Sequence, residues 1–162
     1  MNKLGLVIRE LHRAEGDLAI ELVQASDRHR ADHDIFHLGR DLAEWSREHQ
    51  RELVRVGRER GVRLTGESAP YRVSTMLRQK TSELLGRRHG PALLLLRDLR
   101  TIHRKAAVAS LDWEVLAQAA QALEDRELIE LASRCHSRTI RQLQWSNAKL
   151  KETAAQAIAT PG

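Results

Sequence analysis

Residues 4–25 read LGLVIRELHRAEGDLAIELVQA, and the spacing of their apolar side chains decides the fold class. Leu4, Ile8, Leu11, Leu18, Leu22 and Ala25 recur at steps of three and four. That is the period of one face of an α-helix, not the alternation of a strand. One step in the series is taken by a carboxylate, Glu15.

The same texture extends along most of the chain. A first helix is predicted over about 3–28. A second follows over about 31–60, with Ile35, Leu38, Leu42, Trp45, Leu53 and Val56 on its stripe and Gly61 placed to cap its C-terminus. The stretch VRLTGESAPYRV (62–73) breaks the period with Gly66, Ser68 and Pro70 and reads as a crossing loop. A shorter amphipathic helix is expected over 74–85, then a second break at RRHGP (87–91), with Pro91 suited to a first helical turn. The third long helix is predicted from about 92 to 123, with an interruption near Ser110, and the fourth from about 125 to 157. Short links join the first and second helices and the third and fourth, so each pair should form an antiparallel hairpin. The expectation is an all-α, single-domain four-helix bundle spanning 1–162, with one long crossover over about 62–90.

Composition narrows the classes of function. With 41% apolar and 30% charged residues the chain is neither too polar to fold nor apolar enough to sit in lipid. The longest uninterrupted aliphatic run is Leu93–Leu96, far below the roughly 20 residues needed to span a bilayer. Charge comes early and often in MNKLGLVIRELHRAEG, unlike a secretory signal, so no membrane and a cytoplasmic location are expected. The single cysteine, Cys135, can form neither an internal disulfide nor a cysteine zinc cluster. The net charge of +5 raises the question of nucleic acid. Interleaving of Arg and Lys with Glu and Asp, together with an aromatic content of 3%, argues against a nucleic-acid surface.

Each long helix carries one ionisable group where its stripe calls for an apolar one: Glu15, then His49, then His103 in the series Leu96, Leu99, His103, Ala106, then His136 in the series Ile129, Ala132, His136, Ile140, Leu143. A lone carboxylate in an apolar interior costs several kcal/mol unless a cation, a metal or a donor meets it. At one height, Glu15, His49, His103 and His136 would make a ligand set suited to one divalent ion, whether zinc, iron or manganese. His12, Asp41 and Glu48 are placed to orient the imidazoles. The alternative for each histidine is a hydrogen-bonded core residue, and for Glu15 a pairing with an arginine. His33 and His37, four apart beside Asp32 and Asp34, read as a solvated face; Cys135 reads as a buried thiol; Trp45, Trp113 and Trp145 read as packing residues.

The segments RELHRAEGDLAIEL (9–22), SREHQRELVRVGRERG (46–61) and AQAAQALEDRELIELASRCHSRTIRQLQW (117–145) resemble the ferritin-like superfamily, in particular its small bacterial members. The resemblance implies a ferritin-like bundle, a metal-ligand role for Glu15, and a place for His49 as the histidine of a Glu-x-x-His motif. Ser46 stands where that motif has Glu, and the resemblance puts His103 at a further carboxylate position, His136 where Glu is expected and Thr139 where His is expected, so it implies a mononuclear histidine-rich site or a bundle without its metal. It also implies a homo-oligomer with a role in metal or oxidative-stress handling. The competing expectation is a non-catalytic helical module that docks a protein partner through the apolar surplus around Leu93–Leu96, and a third is a basic nucleic-acid-associated bundle.

Overall fold

The computed structural model describes residues 2–65 and 90–159, and every regular element within them is an α-helix. These are α1 (Lys3–Arg28), α2 (His33–Glu59), α3 (Pro91–Ala122) and α4 (Arg126–Ala159). The short helix expected over 74–85, and the crossover apart from its first and last residues, lie outside the described residues. None of the described helices is long and apolar enough to cross a membrane.

Local chemistry sets the helix ends. The Asn2 side chain accepts the Gly5 N–H at 2.6 Å, Asp32 accepts that of Ile35 at 3.1 Å, and Asp125 accepts that of Leu128 at 3.2 Å. Each fills one of the orphan donors of a helix N-terminus. Asp32 therefore starts α2 two residues later than the periodicity predicts. Helix α2 stops at Gly61, whose φ of +72° lets Val62 N–H reach back to Gly57 O at 2.8 Å. Helix α3 ends in the same hydrogen-bond pattern, but there the left-handed position is held by Glu124 at φ +53°. The break expected near Ser110 is absent, and α3 runs through it.

Packing gives the direction of each helix. At one end Ile8 and Leu11 of α1 meet Leu53 and Val56 of α2, Leu116 and Ala120 of α3, and Leu128 and Leu131 of α4. At the other end Ile35 of α2 packs with Leu95 and Leu99 of α3, and with Leu150 of α4. Helices α2 and α3 thus run parallel, and the order is up-down-down-up. Leu64 sits at the first end and the start of α3 at the second. Helix α1 packs broadly on α2 and α3, α3 on α4, while α2 and α4 meet only narrowly.

The core face of α1 is the one its stripe predicts. That of α4 is turned by one residue, and on α3 Leu99 and Ala106 keep their places while Leu95 and Ile102 replace Leu96 and His103. On α3 the buried series is Leu95, Leu99, Ile102, Ala106, Ala109, Trp113 and Leu116, and His103 flanks it. On α4 it is Leu128, Leu131, Ala132, Cys135, Thr139, Gln142 and Ser146, and Ile140 is 40% exposed. Three of those α4 residues are polar, which is why apolar periodicity settles on the wrong phase. Leu38 of α2 is likewise exposed, because Gly39 beside it faces α1 and lies close against Ser26.

Candidate functional site

A layer of polar side chains divides the apolar core near its middle. Glu15, fully buried on α1, accepts on one oxygen, Oε1, from Trp113 Nε1–H at 2.6 Å and His49 Nδ1–H at 2.9 Å, and lies 3.3 Å from Thr139 Oγ1, whose one hydroxyl proton is shared with Cys135 O at 3.2 Å. Glu15, Trp113, His49 and Thr139 come from four different helices. The His49 ring stands edge-on to the Trp113 indole, with centroids 5.6 Å apart. A turn along, Gln142 Nε2 donates to Ser46 Oγ at 3.0 Å and to Leu42 O at 2.9 Å. The layer therefore contains two i,i+3 pairs, Ser46 with His49 on α2 and Thr139 with Gln142 on α4.

Helical spacing explains who meets whom. Glu15 lies midway between Leu11 and Leu18 on the buried face of α1, and His49 lies on the face of α2 that carries Leu42 and Val56. Trp113 closes the layer from the buried face of α3, which carries Ala109 and Leu116 on either side of it. Hydrogen bonds to an ionised group are worth about 1.5–3 kcal/mol each, more than neutral ones. Three acceptor atoms of the layer, Glu15 Oε2, His49 Nε2 and Gln142 Oε1, have no hydrogen-bond partner among the described residues.

Of the four residues whose stripes mark them, Glu15 and His49 are brought together; His103 and His136 do not join them. His103 Nδ1 hydrogen-bonds with Ser146 Oγ at 3.0 Å, and His136 Nε2 with Ser110 Oγ at 2.8 Å. Both are half-buried along the seam between α3 and α4. The described residues contain no group of three or more His, Cys, Asp or Glu side chains placed to hold one metal ion. Trp113 and Thr139 occupy the places on α3 and α4 where the apolar stripes put His103 and His136. The residues expected to orient the imidazoles are elsewhere as well: Asp41 is exposed and Glu48 pairs with Arg138. His12 is buried, which lowers its pKa from the usual value and keeps it neutral near pH 7.

Comparison with family models, curated proteins and solved structures gives no match. The chemistry of the site therefore rests on its own geometry. His49 and Cys135 form the floor of a cavity of about 230 Å³ between α2 and α4, rimmed by Glu48, Glu52, Arg51, Arg134 and Arg138. Burial, and then the charge of Glu15, push the Cys135 thiol up to about 12, which makes it a poor nucleophile at neutral pH.

A second buried cluster, not marked by any stripe, ties α1 to α3 near the start of α3. Asp98 is 1% exposed, and its Oδ2 accepts Arg28 Nε–H at 2.9 Å and hydrogen-bonds His29 Nε2 at 2.8 Å. Arg97 reaches its other oxygen at 3.1 Å, and Arg28 also reaches Glu21 at 3.4 Å. Burial alone would raise the Asp98 carboxyl. The hydrogen bonds from His29 and Arg28 outweigh it and hold the group below the usual carboxylate value. The signal for this cluster was an acid inside the apolar run LLLLRDLR (93–100), one residue from the core position Leu99.

Proposed function

We propose that the chain is a ferritin-like bundle that works as a non-catalytic interaction module, with a hydrogen-bonded polar layer where its relatives in fold hold metal. The up-down-down-up order and the single long connection support the first half of this reading, since that is the layout of ferritin-like folds. In those folds a metal layer is built from one Glu on each of two helices and a Glu-x-x-His pair on each of the other two. Here the corresponding residues are Glu15, Trp113, Ser46-x-x-His49 and Thr139-x-x-Gln142. Trp, Thr and Ser supply no anionic ligand, and one oxygen of the lone carboxylate is engaged by two N–H donors and the shared Thr139 hydroxyl. The donor set does not fit a carboxylate-bridged metal pair.

The observation that carries the reading is the Trp113 indole N–H on Glu15 at 2.6 Å. A group that can only donate, held that close, turns the carboxylate into a structural acceptor. Metal analysis of the purified protein tests it, together with thermal shift on addition of iron, zinc or manganese. Less than a tenth of an equivalent bound and no shift are expected; one equivalent retained, with a raised melting temperature, overturns the reading.

One observation favours a second reading. His49 donates through Nδ1 to a carboxylate and leaves Nε2 without a partner, the arrangement of an imidazole that ligates a metal with its other nitrogen. On that reading Glu15 orients and His49 binds. The same metal titration decides between the two, with His49→Gln abolishing any uptake if the second is correct.

A further inference from the structure

Most histidines among the described residues are already engaged. His29 bonds Asp98, His49 bonds Glu15, His103 and His136 bond serines, and His12 is buried. His33 and His37 differ. Both are exposed at the start of α2, neither hydrogen-bonds or ion-pairs with a described residue, and their ring centroids lie 4.3 Å apart at an interplanar angle of 49°. Two histidines four residues apart share one helix face, the spacing by which a helix holds a metal ion between two imidazoles.

The geometry fits such a chelate. Imidazole nitrogens lie about 2.0–2.1 Å from a bound divalent ion, so for a ligand angle near 90° the two ring centroids are about 4.5 Å apart. That is close to the separation found here. The platform is also set. Between the two histidines Ile35 is 1% exposed in the core, Ser26 Oγ–H donates to its carbonyl at 3.2 Å, and Gly39 lies close against α1. Lys149 of α4 holds Asp34 at 3.1 Å. The turn that carries both rings is therefore packed on its neighbours and is not a fraying end. The carboxylates of Asp32, Asp34 and Asp41 lie beside the pair or one turn beyond it, while the guanidinium groups of Arg30 and Arg40 are drawn to the Phe36 ring and to Asp27.

We propose that His33 and His37 form a bidentate binding site for copper(II), separate from the polar layer. No third His, Cys, Asp or Glu is placed to join them among the described residues, so water fills the remaining positions. Two neutral nitrogens with water oxygens make the tetragonal N,O set that suits copper(II) first and nickel(II) second. The same set holds manganese, iron and zinc more weakly. Tests of the polar layer with those three metals thus read His49, whereas copper reads this pair. His49 lies about 18 Å further along α2, so failure of one reading is distinguishable from failure of the other.

Equilibrium dialysis and calorimetric titration of the full chain with copper(II) chloride test it, in a non-coordinating buffer at about pH 7.5 where a free imidazole is mostly neutral. One equivalent is expected to bind more tightly than the rest. His33→Asn and His37→Asn should each weaken that equivalent at least about tenfold, because losing one arm of a chelate removes its effective concentration. The melting temperature without metal should not change, since both side chains are exposed. The decisive control combines His37→Gln with Leu38→His at a site that is 41% exposed. It keeps the number of imidazoles but sets them five residues apart, on different sides of the helix, and should also lose the tight equivalent. No tight equivalent in the wild type, a weakening below about tenfold, or a shifted pair that binds like the wild type overturns the proposal. The last of these results means adventitious copper only. Uptake abolished by His49→Gln and indifferent to His33→Asn and His37→Asn also overturns it, and puts the copper in the polar layer.

Discussion

Replacing Trp113 by phenylalanine tests the polar layer most directly, because it deletes one donor and keeps most of the ring. Trp113 and Glu15 are both 0% exposed and are joined at 2.6 Å, so water cannot replace the lost bond. A buried hydrogen bond to a charged group contributes about 1.5–3 kcal/mol. The smaller ring leaves roughly 40 Å³, adding about 1 kcal/mol at the usual cavity cost. The expected loss is therefore about 2.5–4 kcal/mol, or a fall in melting temperature of about 5–15 °C for a domain of this size. Urea unfolding with circular-dichroism detection measures it, with Glu15→Gln and the double variant completing a cycle. Coupling of about 1–2 kcal/mol between the two sites is expected, as for residues that share one hydrogen bond. A loss below about 0.5 kcal/mol, or additive single effects, would refute the assignment of Glu15 as an acceptor held by Trp113.

Acid stability should depend on Asp98. Its folded pKa lies below its unfolded one, so its contribution is fully present above the unfolded value and disappears as pH falls through the folded value. In urea titrations from pH 2 to 7, Asp98→Asn should be less stable at neutral pH and should show a shallower acid limb; an unchanged limb would sink the assignment. Cys135, held up to about 12 by burial and by Glu15, should resist thiol reagents at pH 8 in the native protein and react at once in denaturant; rapid native labelling would show that α2 and α4 open locally. Glu124 sits at φ +53° where glycine is unstrained, so Glu124→Gly should raise the stability by about 0.5–1 kcal/mol, read from the urea midpoint. No gain would mean that the left-handed turn after α3 carries no strain.

How much of this was legible in the sequence differs from helix to helix. The apolar stripe of α1 is strict, and it fixes both the core face and the anomaly at Glu15. On α2 the same signal locates His49, although Leu38 misleads because the close approach of α1 at Gly39 takes the neighbouring position. One helix terminus is legible too, where Gly61 ends α2, whereas the capping roles of Asn2, Asp32 and Asp125 emerge from the structure.

On α4 the stripe points one residue away from the observed core, and on α3 it does so at Leu96 and His103. Thr139, Gln142 and Ser146 are fully buried, and a hydrophobic period cannot register polar residues as core. His136 consequently looks like a core position; His103 does so because Leu96 and Leu99 share its spacing, although the buried neighbour is Ile102, and both histidines bond serines across the α3–α4 seam. Asp98 is hidden in a similar way, because its compensating partners Arg28 and His29 are about seventy positions distant in sequence and next to it in space.

The sequence by itself determined four long helices, two hairpins and a buried carboxylate in need of a partner, since periodicity, caps and desolvation act locally. Only the tertiary structure decided who that partner is. The axial offset of α3 against α1 places Trp113, and not His103, at the level of Glu15. That offset depends on how whole helix faces interlock, a property of the assembled bundle which no single stretch of sequence carries.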